Sequence, residues 1–70
     1  MSKDIRKSFG ELLRTARKSR NLTQEELGDK AGLHFTYIGQ IERGHRNPSL
    51  INIYRIQKAL RIPISDIFPT

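Results

Sequence analysis

The 70-residue chain contains no cysteine and no tryptophan, and only three prolines and five glycines. Without cysteine there is neither a disulfide framework nor a thiolate metal site. The composition suits a reducing compartment, and a cytoplasmic location is expected. The two histidines, His34 and His45, lie far outside the short spacings of metal ligands, so no metal or cofactor is expected. No apolar run approaches the roughly 20 residues of a membrane span. The opening MSKDIRKS also lacks the apolar stretch of a secretory signal. Catalytic patterns are equally scarce: there is no Ser/His/Asp or Cys/His arrangement at useful spacing and no glycine-rich phosphate loop. Glu25, Glu26 and Asp29 are explained by the first turns of a helix and by solvation. An enzyme is not expected, and no pocket for a small-molecule ligand is evident.

What the chain has is positive charge. Thirteen Lys and Arg against seven Asp and Glu give a formal charge of +6, with a sequence pI near 10.3. Such a surplus favours an anionic partner, nucleic acid first, then a membrane surface or an acidic protein. A membrane role would need a large apolar face on an exposed basic helix, and the apolar stripes are needed for the core. The basic residues are spread, from Lys3, Arg6 and Lys7 through Arg14, Arg17, Lys18 and Arg20 to Arg43 and Arg46. With no block of consecutive lysines, they belong to a folded surface. Seventy residues allow one domain, which buries about 60% of the surface its unfolded chain exposes.

The apolar pattern is helical throughout. Ile5, Phe9, Leu12, Leu13 and Ala16 make one stripe of a first helix, capped by Ser2 or, with Glu11, by Ser8; the stripe favours the earlier start. Thr23 with Glu26 spells a capping box, and Leu22 with Leu27 a hydrophobic staple. A second helix should therefore run to Ala31 and end at Gly32. A third, from Phe35 to about Arg43, has His34 as a poor N-cap, a Leu33–Ile38 staple and Gly44 after it. Ser49 caps a fourth, with Leu50, Ile53, Ile56, Ala59 and Leu60 facing inward. Pro63 fits the first turn of a brief fifth helix ending near Phe68.

Two short helices joined at a tight glycine turn form a helix-turn-helix unit, here about residues 23–43. Leu27, Ala31, Leu33, Ile38 and Ile41 supply the apolar crossing, with Gly28 at the closest approach and Gly32 in the turn. The segments LTQEELGDKAGL and YIGQIERGHRNPSL resemble the Cro/CI-type regulators of the XRE family. The tail LRIPISDIFPT is similar to the closing helix of many members. The resemblance covers essentially the whole chain and implies an all-α, compact five-helix, lambda-repressor-like DNA-binding domain spanning 1–70. TYI with IERGHRNPSL is most similar to the small controller proteins of restriction–modification systems. Gly28, Gly39 and the His34–Phe35 pair depart from the family pattern. The implied function is sequence-specific regulation of transcription, for instance by a repressor bound at a promoter. The implied partners are double-stranded DNA and, as a homodimer, a second copy on a two-fold operator. Some members act as antitoxins, so an interaction module that binds DNA for autoregulation is the alternative.

At about 100° per residue, with Ile38 taken as inward, Ile41 and Glu42 also face inward. Thr36, Gln40 and Arg43 face out, Tyr37 and Gly39 lie on the flanks, and Phe35 lies near the buried edge. Base contacts are expected from Gln40, bidentate to adenine, and from Thr36. Phe35 suits a thymine methyl or the core edge, and Tyr37 a phosphate or base edge through its hydroxyl. Phosphate contacts are expected from Gln24 at a helix N-terminus, where the resemblance also assigns one, and from Thr23, His34, Arg43, Arg46 and Asn47. Arg17 continues the inward line of the first helix and needs a partner. Glu42 is the obvious acid, and the resemblance implies the same pair. Ile51, Tyr54, Ile64 and Phe68 remain after the core is filled and are expected to form a dimer interface.

Overall fold

The computed structural model describes residues 4–70 and contains four α-helices among them: α1 (Ile5–Ser19), α2 (Gln24–Ala31), α3 (Phe35–Glu42) and α4 (Leu50–Leu60). The expected fifth helix is a single 3-10 turn, Ile64–Asp66. Pro63 stands before that turn in extended conformation (ψ 144°) and not inside it. Pro69 disfavours helical backbone at Phe68. Between two prolines the chain has room for one turn, and the five-helix count is corrected to four.

Each helix start has a local cause. Asp4 caps α1, its carboxylate accepting from the Arg6 N–H at 3.0 Å. The Ser8–Glu11 alternative falls inside α1, and Ser2 lies outside the described residues. In α2 the capping box is complete: Thr23 Oγ1 accepts from Glu26 N–H, and Glu26 Oε1 accepts from Thr23 N–H. Gly32 ends the helix in the left-handed region, at φ 72°. His34 does cap α3, with Nδ1 accepting from the Thr36 N–H at 3.1 Å. Ser49 Oγ accepts from Asn52 N–H at the start of α4. That helix closes on Arg61, which takes φ 56° without being glycine.

The core joins all of these elements. Phe9 and Leu13 from α1, Leu27 and Ala31 from α2, and Ile38 and Ile41 from α3 are buried together with Ile56, Leu60, Ile62 and Ile67. Two expected core residues are exposed: Ile5 at 61% and Leu50 at 81%. Both open a helix, where Cα–Cβ bonds tilt toward the N-terminus and carry the side chain past the first turn into solvent. Ile62 and Ile67, outside any long helix, replace them.

Close backbone approach fixes the crossings. A Cβ on Gly28 would come within 2.5 Å of the Leu33 carbonyl oxygen, so the α2–α3 turn needs the bare glycine expected there. Gly10 plays the same part between α1 and the end of α3: a Cβ would meet the Ile41 oxygen at 2.3 Å. No described helix is long and apolar enough to cross a membrane.

Candidate nucleic-acid interface

The inward face of α3 is held firmly. Ile38 and Ile41 are fully buried. Glu42, only 7% exposed, receives Arg17 from α1 in a two-pronged pair: Nε to Oε2 at 2.6 Å and Nη2 to Oε1 at 3.0 Å. Arg17 Nη1 also donates to the Leu22 carbonyl at 2.7 Å, and Gln24 Nε2 donates to Glu42 Oε1 at 3.1 Å. The buried charges are therefore paired and hydrogen-bonded, the condition under which such a pair is tolerated. One network ties α1, the α1–α2 turn, α2 and α3 together. Spacing places the Arg17–Glu42 pair, but it gives no sign of Gln24 or the Leu22 carbonyl joining it.

The opposite face is open. Thr36 and Arg43 are exposed and Gln40 is half-buried. Phe35 is 43% exposed and stacks on the His34 ring, with centroids 4.7 Å apart. Its ring stands outside the buried cluster. His34 Nδ1 is taken up as the cap acceptor, which leaves Nε2 as the ring's N–H donor. Thr23 uses its oxygen in the cap, and its hydroxyl hydrogen stays available. At the start of α2 the Gln24 and Glu25 N–H groups have no intrahelical acceptor, as at any helix N-terminus. Gln24 itself lies against α3, since a Cβ on Gly39 would sit 3.3 Å from both Gln24 Oε1 and Arg43 Nη1. Glycine at 39 leaves room for these two side chains.

Beyond Gly44 (φ 77°) the chain turns back over the end of α3, His45 N–H donating to the Gln40 carbonyl at 2.9 Å. Arg46 is thereby placed beside the open face of α3. Its Nη1 donates to Gln40 Oε1 at 2.8 Å, and its guanidinium lies 4.8 Å from the Tyr37 ring centroid. Tyr37 is half-buried, and its hydroxyl accepts from Asn52 Nδ2 at 3.0 Å. Asn52 is a participant that the sequence pattern does not single out. Asn47 stands apart from this cluster, lining an apolar groove with Ile5, Phe9 and Phe68. Among the described residues no group of His, Cys, Asp or Glu could hold a metal ion.

Two short helices crossing at a tight glycine turn, with Phe35, Thr36 and Gln40 on the open side of the second, form a helix-turn-helix unit. Residues 13–67 match the helix-turn-helix family HTH_3. The chain belongs to this family. Similar proteins include control protein C.BamHI of Bacillus amyloliquefaciens, 47% identical over 68 residues, covering 96% of this chain and 84% of the relative. The transcriptional regulator ClgR of Mycobacterium tuberculosis is 37% identical over 63 residues, covering 90% of this chain and 56% of ClgR. Among solved structures, the restriction–modification controller protein C.AhdI from Aeromonas hydrophila superposes with a TM-score of 0.87 at 41% identity. That match covers 90% of this chain and 96% of C.AhdI. This HTH_3 protein is a DNA-binding regulator of transcription.

The residues expected at a dimer interface lie elsewhere on the surface. Ile51 (64% exposed), Tyr54 (58%) and Ile64 (45%) are open, and Leu50 joins them. Phe68, 43% exposed, makes an edge-on contact with Phe9 at a centroid distance of 5.9 Å and lines the groove with Ile5 and Asn47.

Proposed function

We propose that the protein binds a two-fold DNA operator as a homodimer, each copy laying α3 in the major groove. Phe35, Thr36, Tyr37 and Gln40 contact base edges. Thr23, Gln24, His34, Arg43 and Arg46 contact phosphate, which sets register and carries no sequence information directly; Asn47, expected with them, lines the groove of Ile5 and Phe68 instead. The observation that carries this reading is the division of α3: one face is locked by Ile38, Ile41 and the Arg17–Glu42 pair, and the other is open and carries Phe35, Thr36, Gln40 and Arg43. Leu50, Ile51, Tyr54 and Ile64 give an exposed apolar surface on and after α4, and a second copy would cover it. The likeness to control proteins supports action on the genes of a restriction–modification system in the cytoplasm, with protein concentration as the controlling variable.

Fluorescence anisotropy of labelled duplex against protein tests the reading. Affinity should fall with salt along a line of slope about −0.9 per phosphate neutralised. Absence of duplex binding at low salt would sink it.

A further inference from the structure

Several cations have a structural role in the fold. Arg6 closes on Asp4, Arg17 on Glu42, and Arg20 donates to the Arg61 carbonyl at 2.8 Å. Lys18, Lys30 and Lys58 stand in the last turns of α1, α2 and α4, where a cation offsets the carbonyl end of the helix. Lys7 has neither reason. It lies in the first turn of α1, a turn without an acid, and a cation at that end of a helix is disfavoured. The residue is exposed, and its ammonium makes no ion pair or hydrogen bond among the described residues. Glu11, one turn on, lines a separate cleft with Thr15 and Thr70.

Packing decides what Lys7 stands beside. α1 crosses the end of α3 at Gly10, where a Cβ would meet the Ile41 and Glu42 carbonyl oxygens at 2.3 and 2.6 Å. Toward its N-terminus, α1 runs past α3 and meets the turn at Gly44. A Cβ on Gly44 would lie 2.9 Å from Lys7 Cα and 3.2 Å from Lys7 Cβ. The Lys7 side chain therefore starts beside the turn that carries Arg46 to Gln40. The last carbonyls of α3 do not call for its charge. Gly39 accepts from Arg43 N–H, Gln40 from His45 N–H and Ile41 from Gly44 N–H.

We infer that α1 is a further DNA-contacting element, with Lys7 holding a backbone phosphate beside the one met by Arg46. The phosphate supplies the anion that the first turn of α1 lacks. The bare Gly44 lets α1 come this close to the interface, since any side chain there would press on the Lys7 backbone. The inference rests on the reading of α3 as the groove helix.

The test is a salt series of duplex affinities, read by fluorescence anisotropy, for the wild type, Lys7→Gln, Lys7→Arg and Lys30→Gln. The duplex is one selected by the wild type from a random-sequence pool. Lys30 is exposed at the far end of α2 from Gln24 and matches the change in net charge. Lys7→Gln should make the salt slope shallower by about 1 for each copy bound. Lys7→Arg should keep the slope, and Lys30→Gln should leave it unchanged. The thermal midpoint of Lys7→Gln should hold or rise, since a cation leaves the N-terminal turn of a helix. Its selected sequences should match those of the wild type, because a phosphate contact reads no base. An unchanged slope in Lys7→Gln, or an equal change in Lys30→Gln, would overturn the inference and leave groove reading by α3 intact. A lowered midpoint with an unchanged slope would overturn it too, and would assign the charge to the support of α3. If the wild type binds no duplex, the reading of α3 fails and the inference with it.

Discussion

Arg17 is the residue on which the placement of α3 turns. Its side chain is 9% exposed and that of Glu42 3%, so removing one partner strands the other charge away from water. Glu42→Ala should cost about 3–5 kcal/mol, comparable to the whole stability expected of a core this small. Chemical denaturation should find that variant largely unfolded at room temperature. Replacing both, as in Arg17→Met with Glu42→Leu, should recover most of the loss, because an apolar pair of similar volume leaves no buried charge. Phe35 makes a contrasting case. Its ring is exposed and stacked only on His34, so Phe35→Ala should change stability by less than about 1 kcal/mol while weakening preference for thymine at one position. A large fall in the thermal midpoint would return Phe35 to the core. The Arg17–Glu42 pair was legible in the sequence because both residues fall on inward helical lines and opposite charges must meet when buried. The links from Gln24 to Glu42 and from Arg46 to Gln40 were not. Long side chains reach several partners, and only the folded turns decide which.

At the scale of elements, glycines decide how closely helices approach. Gly10 faces backbone, with the Ile41 carbonyl 2.3 Å from a Cβ at that position, whereas Gly39 faces only side-chain ends at 3.3 Å, that of Gln24, bonded to Glu42, and that of the exposed Arg43. Gly→Ala in a helix interior gains roughly 1 kcal/mol of propensity. Gly39→Ala should keep much of that gain and raise the thermal midpoint by a few degrees. Gly10→Ala should lower the midpoint, since α1 must move away from α3. Calorimetry of both variants reads the difference in sign. The start of α1 has a dependence on acid. Hydrogen bonds from the Arg6 side chain, then from its backbone N–H, hold the Asp4 carboxyl below the usual carboxylate range. The cap therefore contributes above the unfolded-state pKa and is lost as pH falls through the lower folded value. Asp4→Asn should show a smaller loss of urea midpoint between neutral and strongly acidic pH. The second and third helices could be read to within a residue because their caps and staples are local. The closing turn could not, because a proline marks either the first helical position or the residue before it, and only packing around Ile62 and Ile67 chooses.

For the whole molecule, the proposed dimer rests on the apolar surface beside α4. Ile51→Glu with Tyr54→Lys alters side chains more than half exposed, and the fold should survive. Sedimentation should show the wild type associating with concentration and the double variant remaining monomeric, with weaker operator binding. If the wild type stays monomeric at every concentration, this surface has another use. The central claim is that two copies of α3 enter the major groove one turn apart. Dimethyl sulfate methylation tests it most directly, since guanine N7 lies in the major groove and adenine N3 in the minor groove. On a duplex selected from a random pool, the account predicts protection of guanine N7 in two patches about 34–36 Å apart, with adenine N3 unprotected between them. Protection at adenine N3, or a single patch unaffected by the Thr36→Ala and Gln40→Ala changes, would contradict it.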